Sequence, residues 1–283
     1  RVIENLICAG AMDKMYGSRA QKMAELEIIM VQAQDYKEQK KTGQMGLFNM
    51  INNPRKSESE ELYDYKACSD WTSKEKLSKE KEIAGFYLSD HPINSYKFIS
   101  FIKHESFEEA FLKIKTVNSL KEPEVTCIGL KEGIKEITTK KGDRMAFMKF
   151  EDVGSHAEVI VFPKVYSKSE NFLYEHDVFI IKGFLDISSD SKCKIKANRI
   201  IPIDYLLKDE KIIKLIKLNL KDNISEDILK NIKNLLKSGK TNLEISFEEN
   251  NCEFILKARD SVFFDIKSIE ELSSKSIDIS LEI

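Results

Sequence analysis

Apolar positions recur along this chain with two different periods, and the change of period divides it. Near the start, Val2, Ile3, Leu6 and Ile7 form a helical stripe that stops at Gly10. Ser18 and Gln21 have the spacing of a capping box. The pattern predicts one long helix from there through Met23, Leu26, Met30 and Ala33, fading near Gly43. A second box, Thr72 to Glu75, opens a helix that runs through Leu77, Ile83 and Ala84 towards Gly85-Phe86-Tyr87-Leu88. Ser89-Asp90-His91-Pro92 ends it, because the residue before a proline is pushed out of helical geometry. From Pro123 the period falls to two. Strand-like runs cover Val125 to Ile137, Met145 to Phe150, Ala157 to Phe162, Val178 to Ile187 and Lys192 to Ile201. Pro163 to Leu173 reads as a short helix between the third and fourth, which is the layout of an OB-fold barrel.

After Asp209 the pattern changes again. Lys214 to Leu220 reads as a strand, and Ser225-Glu226-Asp227 opens a helix with Ile228, Leu229, Ile232, Leu235 and Leu236 on one side and Gly239 as its stop. Leu243 to Phe247 and Cys252 to Ala258 alternate as a hairpin, followed by a short helix from Ser268 to Leu272 and a last strand from Ile277 to Ile283. The expected fold is multidomain α+β. A mostly helical region spans 1–105 with a polar connector at 49–70, and a linker spans 106–122. An OB-fold β-barrel occupies 123–205 and a small β-α-β-β-α-β partner-binding domain 206–283.

Composition narrows the function classes. A hydrophobic share of 42% supports folded cores, and no apolar run is long enough for a membrane span. The chain begins inside an amphipathic pattern without an initiator Met, as expected for a piece of a longer polypeptide. Five cysteines without a Cys-x-x-Cys spacing argue against a zinc site and for a reducing, cytoplasmic setting. Cys127, Cys193 and Cys252 read as buried small hydrophobes. The net charge of -2 carries no global nucleic-acid signature, so any DNA contact has to come from local patches.

One such local feature lies between the first helices. In Gln44-Met45-Gly46-Leu47-Phe48 two adjacent large apolar residues cannot share one face of a helix or strand. An extended or turned backbone would offer both to a partner, with the Gln44 amide at a fixed distance. The other reading is that Met45, Leu47 and Phe48 plug the local core. The pattern Gln-x-x-Leu-Phe resembles the peptide with which bacterial replication proteins hook into the sliding clamp.

Four stretches together resemble the C-terminal part of the alpha subunit of bacterial replicative DNA polymerase III. They are Arg1 to Asp13, the hook Gln44 to Phe48, Glu80 to Pro92, and Thr139 to Phe147 running on to Phe162-Pro163. The resemblance covers about residues 1 to 205, and 206–283 match only in predicted layout. It implies a clamp-binding end, an OB domain near single-stranded template DNA, and a terminal domain (206–283) that docks to a clamp-loader subunit. Gly46 departs from the small polar or acidic residue usual in the clamp peptide. The helix-hairpin-helix expected upstream is absent from these residues.

Catalysis is expected elsewhere in the parent. Nucleotide addition needs acids converging on metal ions, expected to be Mg²⁺ in the parent polymerase, and no Asp-x-Asp occurs here. His91, His104, His156 and His176 are scattered without metal-ligand spacing, so neither a metal, a cofactor nor a catalytic residue is expected. DNA contact is expected from Lys140, Lys141 and Arg144 in the first long loop, with Lys149 on the next strand. Phe147 serves as a stacking ring if it faces outward; otherwise Phe147 is core and Phe150 or Met148 faces out. Lys192, Lys194 and Lys196 read equally as a solvated edge that discourages strand pairing. The rival function is a free-standing OB protein or the anticodon-binding part of a tRNA-handling enzyme.

Overall fold

The computed structural model describes residues 1–42, 65–116, 122–186, 192–209, 212–220, 226–235, 237–249, 252–263, 265–274 and 277–283. They form two compact units, Arg1–Pro92 and Ile93–Ile283. The hook Gln44 to Phe48 lies outside the described residues, as does most of the connector 49–70.

The first unit contains α1 (Val2–Cys8), α2 (Arg19–Ala24), α3 (Leu26–Thr42) and α4 (Ser73–Ala84). Both expected capping boxes form, Ser18 with Gln21 and Thr72 with Glu75. Two expectations need correction. The single long helix is interrupted at Glu25, whose buried carboxylate accepts the Lys66 N–H at 2.7 Å. The helix expected to reach Leu88 ends at Ala84. Gly85 closes it in the left-handed region at φ 84, where a residue without Cβ is favoured.

A polar cluster holds this unit together. Arg19 is buried, makes a bidentate contact to Asp13 and reaches Glu80 at 2.7 Å. Glu80 is fully buried, and its second oxygen accepts from Leu88 N–H, Ser89 N–H and the Ser89 hydroxyl. Beside it, buried Lys22 donates to the carbonyls of Met12, Met15 and Gly17. The cluster thereby ties the loop after α1 to α4 and to the segment that follows α4. Burial alone would raise the Glu80 pKa. The bonds from Ser89, Arg19 and Leu88 more than offset that and hold it below 4.5.

In the second unit α5 (Phe107–Thr116) precedes β1 (Glu124–Thr138), β2 (Arg144–Glu151), β3 (His156–Val161), α6 (Pro163–Leu173), β4 (Val178–Leu185) and β5 (Cys193–Pro202). The strands close into a barrel in the order β1-β2-β3-β5-β4, with β3 and β5 parallel. This topology, with a helix between β3 and β4, is that of an OB-fold. Cross-strand rows define its inside: Met148, Val159 and Ile195 form one, and Phe150, Ala157 and Cys193 the next. Cys127 and Cys193 are buried there, and burial pushes the Cys193 thiol up to about 12. The expected linker 106–122 contains α5. Its Phe107 and Ala110 belong to the barrel core, and the Asp152 carboxylate accepts the Phe107 N–H at 2.6 Å.

The remainder comprises β6 (Leu215–Leu220), α7 (Glu226–Leu235), β7 (Ser238–Glu249), β8 (Cys252–Lys257), α8 (Ile266–Ser273) and β9 (Ile277–Glu282). They build a four-stranded sheet in the order β8-β7-β6-β9, with β6 and β7 parallel around α7. Gly239 does not stop α7; it lies within β7, where a Cβ would meet the Phe263 backbone at 2.4 Å. On one face Ile216, Leu218, Leu220 and Leu281 are buried, yet the same face continues to exposed Phe254 and Leu256 on the edge strand β8. Among the described residues no helix is long and apolar enough to cross a membrane.

The Arg19–Glu80 pair yields the first prediction. Removing one partner of a buried pair is destabilising, so Glu80→Gln should cost about 3 kcal/mol, near the low end because Asp13 still holds Arg19. Trp71, the single tryptophan, lies in this unit and reports its urea unfolding by fluorescence. A carboxylate whose folded pKa is depressed stabilises above its unfolded value and loses that contribution as pH falls through the folded value. The gap between native and variant should therefore narrow as pH falls below 4.5. Coincident unfolding curves at pH 7 would contradict this.

Candidate nucleic-acid interface

The first long loop is a tight β-hairpin tip. The Gly142 N–H donates to the Thr139 carbonyl at 2.9 Å, and the Thr139 N–H to the Asp143 carbonyl at 2.8 Å. Gly142 sits at φ 88, which the turn requires and a side chain would resist. This leaves Lys140 and Lys141 exposed at the apex, with no ion-pair partner among the described residues. A charge so placed can meet a phosphate without breaking an existing contact.

Arg144 behaves differently. Its guanidinium donates to Glu136 at 2.7 Å, to the Tyr166 hydroxyl at 3.0 Å and to Glu170. Glu136 also accepts the hydroxyls of Tyr166 and Tyr174. Those bonds from Tyr166, then Tyr174, then Arg144, bring the Glu136 carboxyl from 4.5 down to about 2. The bond to Glu136 raises the already high Arg144 pKa. Arg144 therefore fastens the base of the hairpin to α6 through three of its five N–H donors, while its side chain stays half exposed.

β2 settles which ring faces out. Met148 and Phe150 are fully buried, whereas Phe147 is half-buried on the outer surface. It lies between Lys135 on β1 and Ile160 on β3. Lys149 is exposed two residues on, on the same face. Farther round, Lys194 faces Glu158 at 3.7 Å, and Lys196 pairs with Glu122 and with Asp186 at 3.4 Å. Lys194 and Lys196 are thus paired with acids, while Lys140, Lys141 and Lys149 have no such partner among the described residues. The expected set Lys140, Lys141, Phe147 and Lys149 thus shares one hairpin, and Arg144 is its strut.

Two groupings had no signal in residue spacing. Glu136, Tyr166 and Tyr174 meet only because α6 packs against β2 and β5, which carries the two hydroxyls to Glu136 on β1. Glu132, Glu151 and His156 come together with ligand-type atoms within 4.8 Å of one another. His156 Nδ1 is 3.1 Å from Glu132. Nothing beyond the cluster itself points to a cation.

No family model matches the chain. Among curated proteins it is similar to DNA polymerase III alpha subunits. That of Halalkalibacterium halodurans is 32% identical over 212 residues, 75% of this chain and 17% of that subunit. Those of Borreliella burgdorferi (27% over 210 residues, 73% of this chain) and Escherichia coli K12 (27% over 207 residues, 72%) also match. The chain spans only 17% of each of these relatives. A helical unit followed in sequence by an OB-type barrel, matching several such subunits over the same narrow share, makes the chain a homologue of part of the DNA polymerase III alpha subunit, consistent with its C-terminal region.

Proposed function

We propose that this chain is a non-catalytic C-terminal segment of a bacterial replicative DNA polymerase in the cytoplasm. On this reading it tethers the enzyme to the sliding clamp, contacts single-stranded template through its barrel and docks to a clamp-loader subunit. The observation that carries the reading is the hairpin of Lys140, Lys141, Phe147 and Lys149, cations with no ion-pair partner among the described residues beside an outward ring on an OB-type barrel. OB domains hold single strands by that combination of basic track and stacking rings. The hook Gln44 to Phe48 supplies the clamp contact. The exposed apolar end of the C-terminal sheet, where Phe254 stacks on Phe247 at 5.2 Å, supplies the loader contact. Covering that end removes apolar surface from water, which favours association.

Binding of a labelled oligonucleotide should weaken with salt. Three phosphate contacts give a slope of log affinity against log salt near -2, at about -0.7 each. Lys140→Ala with Lys141→Ala should flatten it by about 1.4 units, whereas Lys194→Ala with Lys196→Ala should leave it nearly unchanged. The reverse ranking would place the strand on another face. Partner binding should separate in co-sedimentation. Leu47→Ala with Phe48→Ala loses the clamp alone, each anchor contributing roughly 1.5 to 3 kcal/mol, and Phe254→Asp loses the loader subunit alone. Retention of both partners by both variants would remove the tethering role. The purified chain with primer-template, Mg²⁺ and nucleotides should extend nothing; incorporation above a mock preparation would reveal an active site within these residues.

A further inference from the structure

On the side of α6 turned away from the hairpin lies a cavity of about 640 Å³, a size suited to a small ligand. Helix geometry separates the two sides. Tyr166, Glu170 and Tyr174 fall on the face toward the hairpin network, while Lys168 and Phe172 fall on the opposite face with the cavity. Lys164 and Lys168 from α6 and Arg199 from β5 line it, with Asp209 as the one carboxylate among the lining residues. None of the three cations has an ion-pair partner among the described residues. Like charges gathered around one cavity repel, and an anion of about two charges would relieve them.

Two further features narrow the ligand. The N-terminus of α6 opens at the cavity; Pro163 has no N–H and Val165 donates to the Phe162 carbonyl, so the helix start offers the Lys164 N–H and a dipole that favours negative charge. Phe162 is 43% exposed, although Val161 beside it is fully buried. Tyr205 forms part of the wall, packed edge-on against Phe172 at 5.8 Å. Exposed aromatic surface next to unpaired cations matches a flat ring carrying a phosphate.

We propose that this cavity is a nucleotide site separate from the hairpin surface. Lys164, Lys168 and Arg199 hold the phosphate together with the helix N-terminus, and the base lies against Phe162 and Tyr205. The ligand is a nucleotide unit, either free or carried by a DNA strand. The site stands independently of the single-strand reading, since it uses none of the hairpin residues.

The test titrates the full chain with a fluorescent analogue of dATP, followed by anisotropy, with dAMP, oligodeoxythymidylate and an oligoglutamate peptide as competitors. Lys168→Ala with Arg199→Ala should weaken nucleotide binding by about tenfold or more, and Lys140→Ala with Lys141→Ala should leave it unchanged. The milder Lys168→Gln, with thermal unfolding alongside, separates loss of the site from loss of the fold. Competition by dAMP identifies a free nucleotide; competition by the oligonucleotide alone identifies a strand-borne one. Absence of binding, equal binding by the cavity variant, or oligoglutamate competing as well as dAMP would overturn the proposal, the last pointing to an acidic protein partner. Failure here leaves the salt slope of oligonucleotide binding at the hairpin untouched, so the two readings fall separately.

Discussion

A five-stranded sheet closes on itself only if one strand serves both of its edges, and here that strand is β1. Its first half, Glu124 to Leu130, pairs with β4, and its second half, from Leu130 to Thr138, pairs with β2. The register shift between Lys131 and Gly133 lets one strand change neighbours by adding local bend and twist. Gly129 makes a close approach possible: a Cβ there would meet the Phe107 ring at 2.7 Å, so its absence admits α5 against the barrel. β1 also sets α6. Lys131 donates to the carbonyls of Leu173 and His176 at the helix C-terminus, both at 2.7 Å, and Glu136 takes the hydroxyls of Tyr166 and Tyr174. Once closed, the barrel has few free backbone groups to offer a ligand. On the proposed reading, function passes to what projects from it, the β1–β2 hairpin on one side of α6 and the cation-lined cavity on the other.

The helical unit solves a different problem, how to order a loop too short of apolar residues to build its own core. Arg19 and Lys22 collect the backbone carbonyls and the Asp13 carboxylate of the segment after α1, and Glu80 balances the buried charge from α4. Gly10 has to lack a Cβ, because one would lie 2.2 Å from the Arg19 guanidinium. Two stretches that resembled polymerase III alpha in the sequence, Arg1 to Asp13 and Glu80 to Pro92, are therefore joined through Arg19, which pairs with Asp13 of one and Glu80 of the other.

The barrel was readable from alternation because each strand has one wet and one dry face, and all five expected runs are strands within a few residues of their expected ends. The helix at 107–116 was readable too, since Phe107, Ala110, Phe111 and Ile114 follow helical spacing, but its charged neighbours gave it the look of a linker. The stop at Gly85 was hidden by the apolar residues after it, which continue the helical pattern without continuing the helix. Arg144 reads in sequence like its lysine neighbours; only the packing of α6 reveals that its charge is already spent on Glu136 and Glu170. The cavity was beyond reach for the same reason, because Lys168 and Arg199 are separate in sequence and become neighbours only through the barrel. The cavity residues belong to no motif.

The central claim is that single-stranded DNA meets the outer face of the β1–β2 hairpin. Backbone amide chemical-shift mapping of the full chain with a short oligodeoxythymidylate tests it most directly. The account requires the largest shifts at the amides of residues 139–144 and at Phe147 and Lys149, alongside any at the cavity behind α6, with the sheet of β6 to β9 quiet. Shifts concentrated on that sheet or on β4, with residues 139–149 unmoved, would contradict it.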